Sequence, residues 1–169
     1  MALREPLAAE GPLLLAIGEA TGLFAPGEVD ALLGATLDSW HAGRLNAGHC
    51  VKVATVNVAT VANAVEDPAL GWAYWGPDEE EPGTWELYWI GVSASARRAG
   101  VGMSLLKGFE AAASQAGAAK LRIATSSLPS TAAARLFYAR AGYSQARVDA
   151  DYYGAGDDKV VFEKEVKVQ

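Results

Sequence analysis

Residues 84–115 constrain the fold more than any other stretch of the chain. Thr84-Trp85-Glu86-Leu87-Tyr88-Trp89-Ile90-Gly91-Val92 is rich in aromatic and β-branched residues, the composition of a buried strand. The turn Arg97-Arg98-Ala99-Gly100-Val101-Gly102 follows it. Leu105, Leu106, Phe109, Ala112, Ala113 and Ala116 then recur at helical spacing as far as Gly117. The first N–H groups of a helix lack partners and lie at the positive end of its dipole, so anions settle there. Gly100 and Gly102 carry no Cβ to block approach to the backbone, and Arg97 and Arg98 add two positive charges. Strand, glycine turn and helix in this order make a phosphate cradle. Two other phosphate loops fail on the letters. Met103-Ser104 follows Gly102 where a Walker loop needs Lys and Ser or Thr, and Leu105 stands where a dinucleotide fingerprint needs a third glycine.

The remaining elements mix strands and helices. Residues 3–8 read as a first strand closed by Glu10-Gly11-Pro12, and 13–21 as an apolar run that fits strand or helix. Pro26-Gly27-Glu28 opens a helix with Val29, Leu32, Leu33, Leu37 and Trp40 on one side and Gly43 as its stop. Residues 49–58 and 70–75 are expected strands, and the acidic tip 77–83 a turn whose residues 78–81 are either simply solvated or attract a cationic amine. Residues 121–125 are a short strand, and Pro129-Ser130-Thr131 starts a helix over 131–141 that Gly142 ends. Residues 143–168 read as two strands around Gly154-Ala155-Gly156-Asp157-Asp158. No repeat or linker divides the chain, so a single domain spanning 1–169 is expected, of α+β or mixed-sheet α/β class.

Composition excludes several functions. A formal net charge of -6 leaves no basic footprint for nucleic acid. Cys50 is the one cysteine, and His41 and His49 stand apart from any ligand cluster, so no metal site is expected. His49 and Cys50 are neighbours on a strand and point to opposite faces, which makes Cys50 structural rather than a nucleophile. Met1-Ala2-Leu3-Arg4-Glu5-Pro6 lacks a signal-peptide pattern, and no run reaches the roughly 18 apolar residues of a membrane span. The expectation is a cytoplasmic protein without a membrane or nucleic-acid partner.

Two motifs carry a family resemblance. Arg97 to Gly102 resembles the Gln/Arg-x-x-Gly-x-Gly/Ala signature of the GNAT N-acetyltransferases. Thr131-Ala132-Ala133-Ala134-Arg135-Leu136-Phe137-Tyr138-Ala139-Arg140-Ala141-Gly142-Tyr143 is similar to that family's Asn-x-x-Ala-x-x-x-Tyr-x-x-x-Gly-Phe segment, with Thr131 and Tyr143 as departures. The run from Asp151 to Val161 also resembles a bacterial GNAT subgroup. The resemblance implies a twisted mixed sheet of six or seven strands flanked by helices and splayed at its middle.

It also implies acetyl-CoA as co-substrate and a primary amine, small-molecule or peptide, as acceptor; protein N-terminus, lysine, polyamine, amino acid and antibiotic all stay open. Homodimers are frequent in the family. By resemblance Ile90, Gly91 and Val92 align the pantetheine arm, and Arg97, Arg98, Ala99, Gly100, Val101 and Gly102 hold the pyrophosphate. Thr131 lies near the cofactor. Tyr138 is the family tyrosine whose hydroxyl approaches the coenzyme sulfur, so it is the expected acid. Glu86 stands where several members carry their general base, and a carboxylate among so many aromatics is expected to have a raised pKa. The alternatives are a wet strand Glu86 and a helix tyrosine that packs its ring and hydrates its hydroxyl. At the level of function, the alternative is a non-catalytic acyl-CoA-binding or sensing domain.

Overall fold

The computed structural model describes residues 1–25, 27–56 and 67–166. Pro26, residues 57–58 of the expected second strand and residues 167–168 of the expected last one lie outside the described residues. Seven strands form one sheet: β1 (Ala2–Arg4), β2 (Cys50–Thr55), β3 (Gly71–Pro77), β4 (Thr84–Val92), β5 (Lys120–Ser126), β6 (Ser144–Gly154) and β7 (Asp157–Glu165). Their order is β1-β2-β3-β4-β5-β7-β6. The β4–β5 pair is parallel, whereas β1–β2, β2–β3, β5–β7 and β6–β7 are antiparallel. The helices are α1 (Gly11–Glu19), α2 (Ala35–His41), α3 (Val101–Gln115) and α4 (Ala132–Arg140). A parallel pair needs a crossover connection, and α3 supplies it between β4 and β5. The mixed-sheet α/β class expected from the sequence is the class observed.

One boundary departs from expectation. β1 ends at Arg4, and Glu10-Gly11-Pro12 starts α1 instead of closing a strand. Pro12 lies in the first turn of the helix, where a missing N–H is tolerated. The Glu10 side chain accepts the Leu7 N–H at 2.8 Å and two bonds from Arg4 at 2.6 and 2.7 Å. That buried pair, and not the glycine–proline signal, sets the turn.

The chain divides into two compact units, Met1–Gly76 with Trp89–Ala111, and Pro77–Tyr88 with Ala112–Gln169. All three crossings fall inside continuous elements, β3, β4 and α3. In the first unit Leu14 and Ile17 of α1, Val29, Leu33 and Leu37, Val51 and Val53 of β2, Trp72 and Trp89 make one apolar core. Trp72 is fully buried and donates its indole N–H to the Leu14 carbonyl at 3.0 Å. An unmade bond there would cost about 1–3 kcal/mol, so it ties α1 to β3. Val29–Gly34 forms a π-helical stretch before α2. Its wider turn puts Val29, Leu33 and Leu37, four apart, on the buried side and turns Leu32 to solvent, out of the expected apolar stripe.

In the second unit β5 is paired on both sides. Thr84, Trp85, Glu86 and Leu87 align with Lys120, Leu121, Arg122 and Ile123, and β7 runs antiparallel along β5 from Lys120↔Glu165 to Ser126↔Lys159. α4 lays Tyr138 against Phe162 of β7, ring centroids 5.9 Å apart, and Gly142 at φ +89° ends the segment. β6 is the edge strand, largely exposed.

Candidate active site

In the first unit, the end of β4 delivers the chain into the turn. Its burial alternates, with Leu87, Trp89 and Gly91 inward and Glu86, Ile90 and Val92 half-buried on the other face. Gly91 is packed so closely that a Cβ there would lie 2.7 Å from the Trp89 ring and 3.2 Å from Ile17. Only glycine lets the strand pass at this point. The Ser93 N–H bonds to the Leu70 carbonyl at 2.8 Å, and a 3-10 turn over Ala94–Ala96 follows. Ala96 is buried, whereas Arg97, Arg98, Ala99 and Gly100 are exposed.

Two residues of this turn have left-handed backbone, Arg98 at φ +66° and Gly100 at φ +82°. The arginine adopts it at a cost of about 1–2 kcal/mol, and the glycine freely. The Ser104 N–H donates to the Gly100 carbonyl at 3.0 Å, the first bond of the helix. The N–H groups of Val101, Gly102 and Met103 therefore have no acceptor within the helix. Val101 is 1% exposed, so its side chain anchors the first turn in the core. Among the described residues, its two chain neighbours aside, no atom comes within 4 Å of where a Gly100 Cβ would stand. Open backbone donors, a left-handed glycine and two exposed arginines are what an anionic pyrophosphate requires.

The second unit holds Glu86, Thr131 and Tyr138. Glu86 is half-buried, and desolvation raises its pKa above the usual carboxylate value against the opposing charges of Lys159 and Arg122. Among the described residues it has no ion pair. Tyr138 is 5% exposed, packed against Phe137 at 5.5 Å and Phe162. Burial alone pushes its phenol up to about 12, and its hydroxyl has no hydrogen-bond acceptor among the described residues. Thr131 is differently placed. Its hydroxyl donates to the carbonyls of Ser126 at 2.7 Å and Leu128 at 2.9 Å and accepts from Arg135. Those bonds fasten the start of α4 to the end of β5.

Sequence reasoning missed the ion cluster around Arg122. The acidic tip is not simply a solvated turn. Asp78 caps the N–H groups of Glu80 and Glu81 at 2.8 and 2.9 Å and pairs with Arg122 at 2.8 Å, and Glu81 pairs with both Arg122 and Lys120. The available signal was Lys120-Leu121-Arg122, two cations at strand spacing, separated from an acidic tip by one strand and one helix. Asp157 and Asp158 are structural. Asp157 accepts the Ser126 hydroxyl at 2.5 Å and the Ser127 N–H at 3.2 Å, and Asp158 accepts the Asp151 N–H at 2.9 Å. Burial pushes the Cys50 thiol up to about 11, and His49 Nδ1 lies 2.8 Å from the Tyr74 hydroxyl. Among the described residues no group of three His, Cys, Asp or Glu could hold a metal, and no helix is long and apolar enough to cross a membrane.

Comparison with known proteins follows the same geometry. A model of the acetyltransferase (GNAT) domain matches residues 48–145, more than half of the chain, and the chain belongs to the GNAT acetyltransferase family. A GNAT-family protein from Desulfovibrio desulfuricans is 30% identical, covering 98% of this chain and 99% of its own, with a TM-score of 0.83. The ribosomal-protein-alanine N-acetyltransferase from Brucella melitensis is 20% identical over 98% of this chain and 99% of its own, TM-score 0.70. An aminoglycoside 6'-N-acetyltransferase complexed with coenzyme A is 15% identical over 100% of this chain and 99% of its own, TM-score 0.73. The last two likenesses extend to the fold alone. No match is found among curated proteins.

Proposed function

We propose that the protein transfers the acetyl group of acetyl-CoA to a primary amine, with Glu86 as the base and Tyr138 as the hydrogen-bond donor to the departing sulfur. The observation that carries the reading is the turn from Arg97 to Gly102, whose unbonded helix N–H groups and left-handed Gly100 fit the pyrophosphate of the coenzyme. The thioester supplies the acyl group, and the chain supplies positioning and proton control. Backbone N–H groups of Val101, Gly102 and Met103 and the charges of Arg97 and Arg98 hold the anion. Ile90, Gly91 and Val92 present strand backbone for the pantetheine arm. An amine resembling lysine has a pKa near 10.4 and is protonated at neutral pH, so a base must take its proton before it attacks. Glu86, desolvated and without an ion pair among the described residues, is the carboxylate suited to that task.

Tyr138 acts as a hydrogen-bond donor rather than a strong acid. A thiol of cysteine type has a pKa near 8.5, so full proton transfer from a phenol near 12 is uphill by about 5 kcal/mol. Donation to developing negative charge on sulfur needs no such transfer and is worth about 1.5–3 kcal/mol.

The test is thiol release from acetyl-CoA against a panel of amines, run on the native protein and on Glu86→Gln across pH. The native enzyme is expected to show an acidic limb in kcat/KM with at least one amine. Glu86→Gln should lose that limb and about 10²-fold in rate. A variant with native rate and limb would remove Glu86 from the mechanism. Acetyl-CoA binding without turnover on any amine would favour a sensing domain instead.

A further inference from the structure

Arg122 is held by three carboxylates. Its Nε and Nη2 each donate to Glu163 at 3.0 Å, Nη1 donates to Asp78 at 2.8 Å, and Nη2 also reaches Glu81. The Cα partner of Arg122 in the parallel ladder is Glu86. Partners across a ladder carry side chains on one face, so a guanidinium emerges beside the candidate base and yet makes no ion pair with it.

The other cations near Glu86 are engaged too, one by an aromatic ring and one by a carboxylate. Beside Arg122, the positive groups acting on it are Lys159 of β7 and Arg147 of β6. Lys159 Nζ sits 4.5 Å from the centre of the Tyr152 ring, and Arg147 pairs with Asp149 at 2.9 Å. Asp78 opposes them with negative charge, and Tyr153 of β6 also feels Glu86. A direct pair with any of the three cations would push a carboxylate well down, by about 1–3 pH units, and weaken it as a base.

We propose that Arg122 is a positioning residue for Glu86, and that Asp78, Glu81 and Glu163 hold its guanidinium away from an ion pair with that carboxylate. Asp149 restrains Arg147 in the same sense. The catalytic meaning of this clamp rests on Glu86 as the base, but its effect on the carboxyl group does not.

The experiment titrates the Glu86 carboxyl carbon by NMR in protein labelled at glutamate, the signal being assigned by its loss in Glu86→Gln. Asp78→Asn removes a facing negative charge and frees Nη1 of Arg122. The Glu86 midpoint should fall by about half a pH unit or more, roughly a threefold loss of proton affinity. Asp149→Asn, on the exposed edge strand, frees Arg147 and should lower the midpoint too, which keeps the test open if the first variant fails to fold. Glu81→Gln takes a carboxylate from the same guanidinium while leaving Asp78 in place, so it should lower the midpoint in the same direction by freeing Nη2. Unmoved midpoints in folded Asp78→Asn and Asp149→Asn would overturn the proposal, as would a shift in Asp78→Asn with none in Glu81→Gln, which would trace it to the lost Asp78 charge alone. If the carboxyl midpoint falls while the acidic limb of kcat/KM stays in place, the clamp stands and the base assignment fails.

Discussion

Replacing Tyr138 with Phe separates packing from chemistry more cleanly than any other change in this chain. The ring of Tyr138 contacts Phe137 and Phe162, and Phe keeps that surface. The hydroxyl has no acceptor among the described residues, and burial already disfavours its ionised form. Deleting it removes no internal hydrogen bond, so the melting temperature should stay level or rise slightly. Activity should respond differently. A hydrogen bond to a charged group contributes about 1.5–3 kcal/mol, and each 1.36 kcal/mol is tenfold in rate. The expected loss in kcat is therefore about 10- to 100-fold, with acetyl-CoA affinity by calorimetry little changed. With the phenol pushed up to about 12, wild type and variant should keep a constant rate ratio from pH 6 to pH 10. Equal kcat in the two proteins would refute the reasoning. So would a ratio that varies across pH 7–9, because the donor would then be titrating where this environment forbids it.

Gly100→Val should weaken acetyl-CoA binding by about tenfold or more in calorimetry, since a β-branched residue at φ +82° carries about 1–2 kcal/mol of strain and shields the backbone donors; unchanged affinity in a folded variant would remove the pyrophosphate site. Glu10→Gln should lower stability by about 3 kcal/mol, the low end for breaking a buried pair because Arg4 is partly exposed, or roughly 6–12 °C in melting temperature. Burial alone would raise the Glu10 carboxyl, but the bonds from Arg4 and the Leu7 N–H outweigh it and hold the group below its usual value. A depressed folded pKa stabilises above the unfolded value near 4.3 and is lost as pH falls through the folded one, so wild type should lose its advantage over Glu10→Gln only below about pH 4. A difference between the two that persists unchanged at pH 2 would contradict this.

What was legible in the sequence was whatever has a short-range physical cause. β4, α3 and their turn could be read because aromatic content, helical spacing and glycines act within a few residues. Gly117 and Gly142 mark helix ends in both sequence and structure, with φ of +78° and +89°. The start of α1 was misread because Glu10 is fixed by Arg4, six residues away, and a charge pair leaves no mark on local propensity. Leu32 was assigned to the core because helical spacing was assumed, and one wide turn changes the period. The clamp on Arg122 depends on partners more than forty residues away along the chain, which no single segment encodes.

Burial moves both proposed proton-handling groups in the same direction with opposite chemical consequences. Desolvation disfavours the charged form of any acid, so it raises Glu86 and Tyr138 alike. For the carboxylate, which works from its charged form, a higher pKa means a stronger base, useful as long as the value stays below working pH. For the phenol, which works from its neutral form, a higher pKa secures the donor over the whole range in which an amine loses its proton. Apolar packing alone therefore accounts for Tyr138, where burial is the single cause of the shift. Glu86 needs more, because Lys159, Arg122 and Arg147 all act to lower it and would dominate if any of them closed on it. Under the proposed clamp, the acidic tip is tied to Glu86 by the carboxylates it places on Arg122.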